Sequence, residues 1–102
     1  MPALHTVNKS PFERDALTAC LARAAEGSTI LLIEDGVTAA LAGTRHAPTL
    51  TAAAGRFSLA VLGPDLAARG LAGRPLVPGV KVVDYDGFVD LAADSSTVVS
   101  WL

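Results

Sequence analysis

The chain has 102 residues, 51% of them apolar and 18% charged, with a net charge of −2. That length suits one domain around a single core, and mild acidity without a Lys/Arg cluster argues against direct nucleic-acid binding. The longest stretch free of Asp, Glu, Lys and Arg is ten residues, His46 to Gly55, where a membrane span needs about 20 apolar residues.

The opening MPALHTVNKS has no basic segment followed by an apolar run, so no signal peptide is expected. The single cysteine, Cys20, excludes an internal disulfide and suits a reducing cytoplasm. A mean hydropathy of +0.45 is high for so small a domain, and surplus apolar surface of this kind is expected to be buried between subunits.

In chain order, ALHTV (residues 3–7) reads as a first strand. Ser10, Pro11 and Glu13 fit the N-cap, N1 and N3 positions of a helix running to about Glu26, with Gly27 as its left-handed C-cap. STILLIE (28–34) is apolar throughout, as a strand buried on both faces would be. Asp35-Gly36 breaks it and caps a short helix over Val37–Ala42, closed by Gly43. TRHAPTLTAAAGR is ambiguous, with Ala52–Ala54 favouring helix and Pro48 limiting its start. FSLAVL (57–62) is a third strand, and Gly63-Pro64-Asp65 opens a helix ending at Arg69-Gly70. PLVPG is loop, VKVVDY (80–85) a fourth strand, and Asp86 caps a last helix. STVVSWL is an apolar tail, an edge strand or an interface segment. Alternating strands and helices with buried strands predict an α/β fold, a small single domain over residues 1–102, with a mostly parallel four- to five-stranded sheet flanked by helices.

Ligands in such folds sit beyond the carboxyl ends of the strands, which directs attention to Asn8-Lys9-Ser10, Asp35-Gly36 and Leu62-Gly63-Pro64. Lys9 beside a helix start could hold an anion, but no phosphate-cradling glycine motif accompanies it, and capping is the plainer role of Ser10. Glu34-Asp35 resembles the acidic pair of phosphoacceptor domains, yet Lys81 begins its strand instead of ending one, so turn and cap duty fits better. Neither His5 nor His46 has a second ligand at metal-binding spacing, and no cofactor or metal is expected. On a helical wheel, Leu17, Leu21 and Ala24 form the core stripe, and Cys20 falls roughly 70° from its centre. Arg23, one turn on, could favour a thiolate; the position in the second half of the helix gives no help from the dipole. Both a reactive and a packing role stay open on this geometry.

Four segments in order, LHTVNKSPF, LLIEDGVTAAL, DLAARGL and DYDGFVDL before the C-terminal tryptophan, resemble the DsrH/TusB family of the DsrE-like fold. The resemblance implies a subunit of a cytoplasmic sulfur-relay complex, a heterohexamer with two copies each of this chain and its DsrE/TusD-type and DsrF/TusC-type sisters. It implies that sulfane sulfur is accepted as a cysteine persulfide and passed to a DsrC/TusE-type carrier. The persulfide cysteine of the DsrE-type sister follows the third strand, where this chain has Val61-Leu62-Gly63-Pro64 and no thiol. A cysteine at the place of Cys20 resembles the sulfur-oxidising branch, so the resemblance makes Cys20 the candidate catalytic thiol and dissimilatory sulfur oxidation the expected pathway. The alternatives are a structural subunit without its own sulfur chemistry and the branch that 2-thiolates the wobble uridine of tRNA. An independent anion- or nucleotide-binding domain using Asn8–Ser10 is a further alternative.

Overall fold

The computed structural model describes residues 3–102; Met1 and Pro2, the first two residues of the stretch read for a leader, lie outside the described residues. Five strands, β1 (Leu4–Val7), β2 (Thr29–Leu32), β3 (Ser58–Leu62), β4 (Val80–Val83) and β5 (Val98–Trp101), form one sheet in the order β4-β3-β2-β1-β5. Every pair is parallel, so the expected sheet is five-stranded and wholly parallel. Parallel neighbours need crossovers, supplied by α1 (Ala16–Arg23), α2 (Ala47–Ala53), α3 (Gly63–Ala68) and α4 (Tyr85–Ala93); a 3-10 helix, Glu34–Ala40, precedes α2.

Side chains alternate across the sheet. Val7, Ile30, Leu32, Leu59 and Val61 join Leu17, Cys20, Leu21, Val37, Leu50 and Leu66 in the main core. Leu4, Leu31 and Ala60 point to the opposite face and meet Phe88, Leu91 and Ala92 of α4. Burial on both faces explains why β2 reads as an unbroken apolar run. Each fully buried Leu or Ile there contributes about 1.5–3 kcal/mol relative to exposure. α4 has no fully buried residue, so the second face carries the shallower cover.

Helix boundaries differ from expectation for geometric reasons. A four-residue strand spans about 13 Å, and eight helical residues span about 12 Å, so α1 matches the strand it returns along. A helix from Pro11 to Glu26 would overshoot. Ser10 instead caps an isolated turn: Phe12 N–H donates to its Oγ at 3.2 Å, and the N–H groups of Glu13 and Arg14 donate to its carbonyl. The chain then restarts its helix behind Asp15. Gly27 does take the left-handed conformation, φ 85°, but in the turn leading into β2. Asp84, not Asp86, caps α4, its Oδ1 accepting from Gly87 N–H at 2.8 Å. The apolar tail is the edge strand β5.

Candidate functional site

Cys20 lies on α1 with a fully buried side chain, 0% exposed. The wheel put it on the border of the core stripe; the buried set is Leu17, Cys20, Leu21 and Ala24, an i, i+3, i+4, i+7 row that includes it. Burial pushes the thiol up to about 12, because the apolar surroundings penalise the thiolate. Arg23 does not offset this, since it is exposed and its Nη1 donates back to the Ala19 carbonyl at 3.3 Å. In this arrangement Cys20 is a small apolar filler, neutral at physiological pH.

The three loops singled out at the strand ends do come together, through contacts with one another. Asp65 Oδ2 accepts from Glu34 N–H at 2.6 Å. Asn8 Nδ2 donates to Glu34 Oε2 at 3.3 Å, and Arg69 pairs with Asp35 at 3.0 Å while its Nη1 donates to the Asp65 carbonyl. Thr38 Oγ1 donates to the Asp35 carbonyl and lies 3.4 Å from Ser10 Oγ. Glu34 carries the positive φ of 50°, a conformation that costs a non-glycine residue about 1 kcal/mol or more, and the Asp65 carboxylate holds it there. Gly36 follows because a Cβ at that place would collide with the Val7 carbonyl oxygen of β1. The acidic pair thus performs turn duty: Glu34 bends the chain and Asp35 holds Arg69. Lys81 sits on β4 level with Ala60 of β3, away from this network.

Gly63 opens α3 within Val61-Leu62-Gly63-Pro64, the stretch that the resemblance sets against the DsrE-type persulfide cysteine. A Cβ placed on it would stand 3.0 Å from Val82 Cγ1 and 3.4 Å from the Val83 carbonyl oxygen, a tight fit that a small shift of the exposed Val82 side chain would relieve. His46 lies in the loop before α2 with its ring edge-on to Phe12, centroids 4.7 Å apart, and Arg45 stands over the same phenyl ring. His5 is nearly buried on β1 and accepts a hydrogen bond from Trp101. The sequence reading missed that pair, because nothing local says that the first and last strands are neighbours. It also missed the Asn8–Glu34–Asp65–Arg69 network, although Asn8, Glu34 and Asp65 each come just after the carboxyl end of a strand, where an α/β sheet gathers its loops. Among the described residues no three His, Cys, Asp or Glu side chains converge as metal ligands would, and no helix is long and apolar enough to cross a membrane. Large apolar side chains on and around α4, Tyr85, Val89 and Val82, are exposed.

The crystal structure of the ychN protein from E. coli superposes with a TM-score of 0.82, covering 98% of this chain and 99% of that one at 17% identity. The all-parallel sheet with its crossover helices is therefore a small α/β domain of the DsrE-like fold. A family described as "DsrH like protein" matches residues 9–98. Protein TusB of Escherichia coli O1:K1 is 39% identical over 98 residues, 96% of this chain and 99% of the relative. Protein TusB of Shigella flexneri is 38% identical over the same shares. The chain belongs to the DsrH/TusB family, whose members are sulfur-relay subunits.

Proposed function

We propose that this chain is the scaffold subunit of a sulfur-relay complex, building and positioning an assembly in which sister chains carry the persulfide. The observation behind this reading is the seclusion of its one thiol: Cys20 is fully buried and held neutral, whereas sulfur exchange needs an accessible thiolate. For Cys20 to accept sulfur, α1 would have to leave the sheet. The partners in this reading are DsrE/TusD-type and DsrF/TusC-type subunits, two copies of each with two of this chain, acting in the cytoplasm on a DsrC/TusE-type acceptor. Exposed apolar residues around α4 give such an assembly surface to bury.

The branch we favour is thiolation of the tRNA wobble uridine, on the strength of the TusB relatives at 39% and 38% identity. The sulfur-oxidation branch was expected from the presence of a cysteine at position 20, and its burial leaves that resemblance without a reactive thiol behind it. The test is an intact-mass spectrum of the assembled complex after exposure to a sulfane-sulfur donor, read subunit by subunit. Added sulfur is expected on a sister chain only. One sulfur atom gained by this chain, and lost in Cys20→Ala, would overturn the scaffold reading and restore Cys20 as an acceptor.

A further inference from the structure

Trp101, the single tryptophan of the chain, sits on β5, and its indole Nε1–H donates to Nδ1 of His5 at 2.9 Å. The ring centroids are 6.1 Å apart and the planes tilted by 36°. Strand register makes the contact: His5 is level with Val99, and Trp101 lies two residues on, on the same face of the sheet. An indole can only donate, so Nδ1 must present a lone pair, and the proton of a neutral His5 resides on Nε2. Besides this bond, β5 is held by its ladder with β1, by the packing of Trp101 against the main core and by contact with α1. Among the described residues it pairs only with β1, at the sheet edge, and it has no fully buried residue. Its other side-chain tie is between Ser100 Oγ and Thr6 Oγ1, at 3.4 Å. Edge strands with so few contacts open at the low end of a protein's stability range.

We propose that His5 and Trp101 form a proton-sensitive latch on the C-terminal strand: a proton on Nδ1 removes the acceptor of the indole N–H, sets two donors against each other and releases β5 from β1. Among the described residues no carboxylate pairs with His5. β2 and β5 carry no ionisable side chain. α1, packed on both β1 and β5, brings the neutral Cys20 and the like-charged Arg23, with Asp15 exposed at its N-cap. Burial alone already keeps His5 below its ordinary value of 6.5. Once the strand lets go, His5 meets water and takes up its proton at the ordinary value. The released state therefore binds more protons below 6.5, and acid favours release.

The test uses the full chain between pH 7.5 and 5.5, reading Trp101 emission and the hydrogen exchange of residues 96–102, corrected for intrinsic pH dependence. At pH 5.5 the opening constant of the strand should rise by up to about tenfold, with a red-shifted emission and unchanged far-UV circular dichroism. His46 is the only other histidine, so His46→Gln should keep the transition. His5→Asn, whose Oδ1 offers an acceptor that takes no proton, should flatten it, and Trp101→Phe should exchange fast already at pH 7.5. A flat response in the unmodified chain, or a response lost in His46→Gln and kept in His5→Asn, would overturn the latch. If His5→Asn fails to fold, the unmodified chain and His46→Gln decide the matter alone.

Discussion

Labelling of Cys20 by a thiol reagent in the native chain at pH 8 should be slower than that of a free cysteine by about three orders of magnitude. An ordinary thiol near 8.5 is about one-quarter ionised at that pH. The same group pushed up to about 12 is ionised in roughly one molecule in ten thousand. The thiol is also fully covered, so the ionisation factor is a lower bound on the slowing for attack on the folded chain, and faster labelling would have to come through an opening of α1 that exposes an ordinary thiol. With one cysteine in the chain, the reaction can be followed by mass or by a chromogenic disulfide without interference, and the rate in denaturant supplies the free-thiol reference. Labelling in the native state within tenfold of that reference would refute the argument, since it would mean that α1 leaves the core readily and exposes a usable thiolate. The same burial makes Cys20→Ser a poor control: it places a hydroxyl in an apolar core, a loss of about 1–3 kcal/mol where no partner is found. It should lower the urea midpoint at unchanged m-value.

Gly36→Ala should destabilise the chain by about 1–3 kcal/mol or more, because the new methyl meets the backbone of β1 at Val7, which has no side-chain freedom to yield; thermal or urea unfolding measures it. Asp65→Ala removes the acceptor of the Glu34 N–H and should cost about 1–2 kcal/mol. Arg69→Ala breaks the largely exposed pair with Asp35 and should stay within about 1 kcal/mol, so the two variants compared by urea midpoint separate the backbone tie from the ion pair. Asp84→Ala deletes the α4 cap and should cost about 1 kcal/mol, while Asp86→Ala should be nearly silent by the same measurement; the reverse order would place the cap at Asp86.

The order of elements was legible because β2 and β3 are apolar on both faces and Gly43, Gly63 and Gly70 punctuate the chain near element ends. Element lengths were less so, since α1 is trimmed to the length of the strand beside it, a tertiary constraint that Ser10 and Gly27 do not encode. The site divided in the same manner. Asn8, Asp35 and Gly63 follow strand ends and were picked out by the topology rule alone. Their use was hidden, because the carboxylate that Glu34 needs for its left-handed backbone comes from Asp65, 31 residues away. Cys20 was placed on a border because three apolar neighbours define a narrower stripe than the one the sheet covers.

Pairing of β5 with β1 joins the two ends of the chain, with Trp101 and His5 separated by 96 positions. β1 therefore leaves the ribosome first and gains its second neighbour last. Until residues 98–101 arrive, it is an open edge presenting Leu4 and His5 to whatever strand comes by. Closing so long a loop is slow, and an apolar edge that waits invites pairing between molecules. Shortened chains that stop before Val98 should thus be prone to aggregate, whatever the strength of the core they have already built.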